Sequence, residues 1–425
     1  MKILYHHRTA SRDGQSTHID EMIRALRANG HEVRECGPPL SQRHLAQGTG
    51  SGRTGWVSRF KVLLPQWLYE LGELAYSVLA YRRLARAVRD FAPDVLYERY
   101  NLYLLAGLWT SQRFGLPLLL EVNAPMAQER RDYGGLAWPG LAQRVELYIW
   151  KNASAVLPVT QVLARQMVAQ GVQPERITVI PNAVDPAHYA QLPSAEQART
   201  ELGLHGRLVI GFTGFVREWD RLERVVKWLA ARPRSPMGSA GPAGPALHLL
   251  VVGDGPARAS IEQCARAHGV AAQVSFTGVV ARQQVPALAM AFDVALQTAL
   301  VPYASPLCLF EYLALGKAIV APNQPNHLEI VCHGVNAWLY NAQADDGLEQ
   351  ALNVLCADAA LREQLARAAA QVIAAQQLTW RAHAEVVAAL GMRLLQSEPE
   401  PAPKPEALSV PVTVSAPVPM PAKER

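Results

Sequence analysis

Three features of the sequence predict an α/β protein made of two doubly wound parallel-sheet domains. The chain opens strand–helix–strand. Met1–His7 is the first strand, and in the Ser16–Asn29 helix Ile19, Met22, Ile23 and Leu26 recur at helical spacing. Gly30 stops that helix and His31 starts a second strand, the βαβ opening of a parallel sheet. Leu116–Ala124 carries an apolar run suited to a strand buried on both faces. A second strand–turn–helix unit starts at Arg207, and 425 residues exceed what one small core organises.

Half the residues are apolar and 18% are charged, a globular composition. No run approaches the roughly 18–20 apolar residues of a transmembrane helix. Met1–His7 reads as a strand with no signal-peptide core, which predicts a cytoplasmic protein. The five cysteines (36, 264, 308, 332 and 356) include no C-x-x-C pair and predict reduced thiols, not a disulfide frame or a zinc site. A net charge of +5 permits anionic partners without pointing to nucleic acid.

In chain order, the loop Arg12–His18 precedes the first helix, where backbone N–H groups can meet a phosphate or sugar; on its residues alone it is an ordinary βα turn. Gly50–Gly55 matches G-x-G-x-x-G, but no strand precedes it, and Gln42–Gly55 reads as a flexible polar loop. Trp56–Phe91 is predicted helical with a break at Pro65. Its aromatic residues and Arg82, Arg83, Arg86 and Arg89 fit two readings: core packing with a solvated basic edge, or a face for a membrane surface or lipid acceptor. Pro93–Tyr100 and Leu116–Ala124 are strands. The second ends in Glu121, Asn123 and Pro125, at the carboxyl edge where open α/β sheets bind ligands. Asn123 can hydrogen-bond but cannot titrate, so any role there is positional. Ala153–Thr160 is a strand, Gln161–Gln170 a helix, and Ile177–Asp185 a strand and turn in which Pro181 and Asn182 supply turn chemistry.

Arg207–Gly214 opens the second unit as a strand ending in glycine. Arg217 and Arg221 follow in the next loop, suited to phosphate or simply exposed to solvent. Ser235–Pro245 is a low-complexity insert. His248–Pro256 is strand then turn, and Gln273–Val280 another strand. Leu378–Arg381 begins a last helix, and Ser397–Arg425, with eight prolines in 29 residues, reads as a disordered tail.

Ser305–Val320 is the most informative stretch. Ser305 suits an N-cap, Pro306 the first helical position and Gly316 a left-handed stop. Leu307, Leu309, Phe310, Leu313, Ala314 and Leu315 make the helix apolar nearly all round, and such a helix is buried. Glu311 sits within it, although a buried carboxylate costs several kcal/mol unless something partners it. A helix start that meets an anion, with Glu311 taking hydroxyl groups, fits these residues. A core helix with one snorkelling Glu fits them equally.

S-P-L-x-L-F-E-Y-L-A-L-G-K-A-I-V-A-P resembles the sugar-nucleotide site of family 4 glycosyltransferases, which have the two-domain GT-B fold. V-I-P-N-A-V-D, ending at Asp185, resembles the family's crossing between domains, and E-x-N-A-P, from Glu121, a subgroup motif. The resemblance implies two Rossmann-like domains facing across a cleft. Residues 1–185 would hold the acceptor, 186–380 the donor, and 381–396 a helix returning to the first domain before the tail at 397–425. It implies donor binding by Gly14, Gly214, Arg217, Arg221, Ser305 and Leu307, with the backbone near Val280 facing the nucleobase and Glu311 on the ribose. Asn123 stands where many relatives have a His that touches the donor sugar. Tyr303 stands where the first Glu of E-x7-E falls, and Cys308 where the subgroup often has Lys. Glu311, Asn123 and Tyr303 are thus the implied catalytic set.

The implied activity moves a sugar from a nucleotide-sugar donor to a saccharide or lipid-linked acceptor with retention, in polysaccharide or glycoconjugate synthesis. The protein would be cytoplasmic and peripheral at the inner membrane face. No D-x-D occurs, and no carboxylate pair can be assigned as acid and nucleophile. No metal or cofactor is therefore expected, with helix-end N–H groups and arginines meeting the departing diphosphate. Two alternatives are a sugar-nucleotide epimerase of the same fold and a non-catalytic nucleotide-sugar-binding protein. Tyr303, Cys308 and Asn123 favour the second.

Overall fold

The computed structural model describes residues 1–9, 14–37, 65–232 and 246–396. Two all-parallel sheets carry the fold. The first joins β1 (Lys2–His6), β2 (Glu32–Cys36), β3 (Val95–Arg99), β4 (Leu118–Val122) and β5 (Ala155–Pro158) in the order β2-β1-β3-β4-β5. The second joins β6 (Arg207–Thr213), β7 (Ala246–Val252), β8 (Val274–Phe276), β9 (Val294–Leu296), β10 (Ala318–Pro322) and β11 (Trp338–Tyr340) in the order β11-β10-β9-β6-β7-β8. Strand order reverses beside β1 and beside β6, and doubly wound sheets leave a ligand crevice outside the carboxyl ends at such points.

Side chains two apart on a strand share a face, so each central strand feeds two cores. Leu118, Leu120 and Val122 of β4 join one apolar cluster with Trp150, while Leu119 joins another with Tyr5 and Tyr97. In the second sheet Leu208, Ile210 and Phe212 face one cluster and Val209 the other. The last helix, Trp380–Gln396, packs on the Gly14–Ala28 helix; Trp380, Ala384, Val387 and Leu390 share a core with Ile3, Tyr5, Ile19 and Leu26.

Several elements differ from the sequence reading. The first helix begins at Gly14, two residues before the expected Ser16, so most of the loop read as preceding it belongs to the helix. Ile177–Asp185 forms no strand: Thr178 and Ile180 donate to the carbonyls of Val156 and Pro158, and Pro181, which has no N–H, ends the pairing. The strand expected over Gln273–Val280 is only β8, because Gly278, at φ +71°, turns the chain away. The helix before Phe91 starts at Gln66. Arg12, Asp13, the Gln42–Gly55 loop, residues 56–64, the Ser235–Pro245 insert and the tail lie outside the described residues. Among the described residues no helix is long and apolar enough to cross a membrane. All five cysteines are unpaired.

Candidate active-site cleft

The Leu307–Ala314 helix starts one residue later than its sequence suggests. Pro306 occupies the N-cap position and no side chain caps the helix. Ser305 is not the cap, because its hydroxyl is taken from outside. Its Oγ accepts the backbone N–H of Asn182 at 2.9 Å, and the Asn182 amide donates to the Ser305 carbonyl. Asn182 also accepts from His18 Nδ1 at 2.8 Å, joining the first helix, the domain crossing and the front of the 307–314 helix. Leu307 turns its side chain toward the first domain's core. The far end is set by Tyr312, whose hydroxyl accepts from Thr213 N at 2.8 Å at the tip of β6, and by Gly316 at φ +56°.

Glu311 is buried, its side chain 5% exposed, and its partner is Arg282. That arginine comes from the Arg282–Gln284 turn that follows Val280, so the loop beside the expected nucleobase position also compensates the carboxylate. Val279 is exposed and Val280 half-buried against the second domain's core. Cys308 donates its thiol to Gln297 Oε1 at 2.9 Å, and burial pushes its pKa up.

Gly214 adopts φ +139° at the end of β6. A Cβ on Gly253 would lie 2.0 Å from the Gly214 carbonyl oxygen, and one on Gly255 2.1 Å from that of Val216. The G-D-G turn after β7 is thus a close backbone approach that shapes the Gly214–Val216 loop. Arg217 lies over the rings of Phe215 and Trp219, at 4.9 and 4.8 Å from their centroids. Arg221 is exposed at φ +53°, where it joins the Glu218–Asp220 turn to the next helix.

Across the cleft, Asn123 donates to Glu121 at 2.5 Å. Glu121 is a buried hub that also receives Tyr97, at 2.9 Å, and Arg99. Burial disfavours its charge, but His18 and Arg99 outweigh that and hold the carboxyl well below its usual range. Gly14 opens the first helix. Tyr303, although in the second domain's sequence, is buried in the first domain's core, and its carbonyl accepts from Thr160 Oγ1 at 3.0 Å. Burial raises the pKa of the nearby first-domain Glu129, opposed in part by Arg217 and Tyr303. Glu129 also lines a cavity of about 400 Å3 with Gln66, Tyr69, Glu73, Asn101 and Met126.

The structure brings Leu307 and Glu311 together on one helix with Ser305 just ahead of its start, and Gly214, Arg217 and Arg221 on one loop. Tyr303 meets the first domain, while Asn123 is turned to Glu121. Sequence reasoning missed Arg282, His18 and the pinning role of Asn182. None has a local signature, since each acts through a partner distant in sequence. Glu329 was passed over likewise; it accepts the Gln161 and Val162 N–H groups at 2.8 and 3.0 Å and so caps a first-domain helix from the second. Among the described residues one trio could share a cation (Glu21, Asp185 and His188), but Arg24 already holds Glu21 at 2.8 and 2.9 Å.

The family description "Glycosyl transferase 4-like domain" matches residues 13–183, and "Glycosyl transferases group 1" matches residues 195–372. A 2-deoxystreptamine glucosyltransferase of Streptomyces kanamyceticus is 30% identical over 203 residues, 45% of this chain and 49% of that protein. A 2-deoxystreptamine N-acetyl-D-glucosaminyltransferase of Streptomyces fradiae is 28% identical over 218 residues, 48% of this chain and 49% of that protein. The match thus spans about half the length of these relatives. Among solved structures, Anabaena HepE in complex with UDP superposes with a TM-score of 0.68 at 19% identity, covering 92% of this chain and 99% of that one. The lipopolysaccharide glycosyltransferase WaaG gives 0.62 at 15% identity, covering 91% and 99%. The two family descriptions cover the two sheet domains in turn, and the chain belongs to the family 4 glycosyltransferases of GT-B fold.

Proposed function

We propose that this protein transfers a sugar from a nucleoside-diphosphate donor to a hydroxyl of a saccharide, cyclitol or lipid-linked acceptor, with retention at the anomeric carbon. The observation that carries the reading is Glu311, a buried carboxylate on a helix whose start has no side-chain cap and lies at the domain crossing. A carboxylate is a natural partner for the two hydroxyls of a ribose, and an uncapped helix start for a diphosphate. Arg217 and Arg221 add positive charge, so the leaving diphosphate is stabilised without a metal in this reading. HepE was solved with UDP and with UDP-glucose, which makes UDP the first nucleotide to test. The cyclitol-directed names of the Streptomyces relatives favour a single-ring acceptor.

A peripheral membrane position belongs to the same proposal. The Gln66–Phe91 helix exposes Trp67, Leu68, Leu71, Val78 and Leu79, followed by the exposed Arg82, Arg83 and Arg86. The apolar and basic stretches share one side of the molecule, which suits an anionic interface.

Calorimetric titration of UDP into the wild-type protein and Glu311→Ala, with UDP-sugar turnover and NMR of the product anomer, tests the reading. Removing the carboxylate is expected to weaken UDP by about 1.5–3 kcal/mol. Unchanged affinity in a folded Glu311→Ala protein sinks the assignment.

A further inference from the structure

We propose that His18 is a positioning residue for the donor. As a buried imidazolium it fastens Glu121, at the carboxyl end of β4, to the start of the 307–314 helix, and donor affinity depends on its proton. This rests on the donor reading above and adds to it the group that sets the donor helix in place.

The protonation state follows from the partners. His18 is 3% exposed; its Nδ1 lies 2.8 Å from Asn182 Oδ1 and its Nε2 3.1 Å from Glu121 Oε2. The Asn182 amide nitrogen donates to the Ser305 carbonyl, which leaves Oδ1, an acceptor only, facing Nδ1. Glu121 receives Arg99, Tyr97 and Asn123, all of them donors, and is therefore ionised. Both ring nitrogens thus face acceptors, and only the doubly protonated ring satisfies both. Glu121 compensates the charge, which would otherwise be costly to bury. The other titratable groups around the ring do not compete for the proton. Tyr5 and Tyr97, which also donate to Glu121, are held far above their usual pKa by burial. His383, which like His18 packs against the Trp380 ring, is lowered to about 4 by burial and by His18.

Loss of the proton breaks this chain at one place. Nε2 keeps its hydrogen for the charged partner, and Nδ1 turns a lone pair on Asn182 Oδ1. Rotating the amide relieves that contact only by setting Oδ1 against the Ser305 carbonyl. Either way a tie is weakened just ahead of a helix start that no side chain caps. The ties from Thr160 to the Tyr303 main chain and from Glu329 to the 161–169 helix contain no histidine, so His18 is what makes the crossing sensitive to pH.

The test uses UDP-glucose, whose doubly esterified diphosphate gains no proton between pH 6.5 and 8.5. Calorimetric titration into the wild type is expected to show affinity falling at least threefold over that range. His18→Gln is expected to bind at least fivefold more weakly at pH 6.5 and to be flat with pH. Asn182→Ala is expected to add less than twofold to His18→Gln, because both cut one chain. The nitrogen-15 signals missing from His18→Gln are expected to show both ring nitrogens protonated at pH 6.5. A wild-type affinity flat with pH, a bare ring nitrogen at pH 6.5, or unchanged affinity in a folded His18→Gln protein overturns the proposal. If His18→Gln does not fold, the wild-type pH profile and ring signals decide, with Asn182→Ala used to assign the ring. A wild type that binds no UDP-glucose at any pH fails the donor reading itself. Amide exchange at residues 305–309, expected to be faster in His18→Gln than in the wild type at pH 6.5, then decides the placement of His18, and equal rates overturn it.

Discussion

Arg217 shows how one side chain is readied for an anion. Stacking over Phe215 and Trp219 restricts a guanidinium without consuming its N–H donors. Asp220 holds the loop beneath it by accepting the Arg217 backbone N–H at 2.8 Å, and burial pushes that carboxyl up to about 6. Replacing Arg217 and Arg221 together by Ala is therefore expected to weaken UDP more than uridine, because only UDP carries the diphosphate. Titrating both ligands into the double variant checks this, and equal losses would show that the arginines are structural. Arg217 was legible in the sequence as a loop arginine. Its aromatic clamp became visible only when Phe215 and Trp219 were folded onto it.

At the scale of elements, the short Met126–Glu129 helix depends on a buried carboxylate from the Pro139–Asn152 helix. Glu146 accepts from Ala127 N at 3.1 Å and from Tyr100 Oη at 3.0 Å. Burial, only partly offset by these donors, raises its pKa from 4.5 to about 7. A folded-state value above the unfolded one means that stability is fully present below about 4.5 and is lost as pH rises toward 7. The loss is on the order of a few kcal/mol. Glu146→Gln keeps an acceptor oxygen and removes the titration. Its Tm is expected to exceed wild type at pH 8 and to converge on it at pH 5, as thermal denaturation at the two pH values would show. A wild-type Tm flat from pH 5 to 8 contradicts this. The helix–strand alternation around these elements follows from apolar periodicity, but the 126–129 turn does not, since four residues carry no periodic signal.

For the whole molecule, the sequence left the aromatic, basic stretch open between core and membrane. The structure divides it. Glu70, Glu73, Ser77, Ala80, Leu84 and Val88 face inward, and Glu70 accepts from Tyr103 at 2.8 Å and from Ala137 N at 2.6 Å. Trp67, Leu71, Val78 and Leu79 face outward with the arginines. Co-sedimentation with anionic vesicles is expected at low salt and to weaken at high salt, because exposed charges are screened. Arg82→Glu, Arg83→Glu and Arg86→Glu together should abolish it. Indifference to vesicles at low salt, or to the triple change, removes the membrane from the proposal.

Local chemistry was enough to indicate two parallel-sheet domains, a mostly buried 307–314 helix and the family resemblance, but it left open whether Glu311 was buried or snorkelled. Strand burial, helical periodicity and turn glycines are encoded within a few residues of one another. The pairings were decided only in three dimensions. Ser305 looked like a cap until Asn182, 123 residues away in sequence, took its hydroxyl. Tyr303 looked like a second-domain site residue until it packed into the first domain's core, its carbonyl taking the Thr160 hydroxyl. Glu311 looked unpartnered until the turn after Val280 supplied Arg282. Side-chain hydrogen bonds and ion pairs act over about 3–4 Å, so only the docking of two domains, not the spacing of residues along the chain, selects which groups meet.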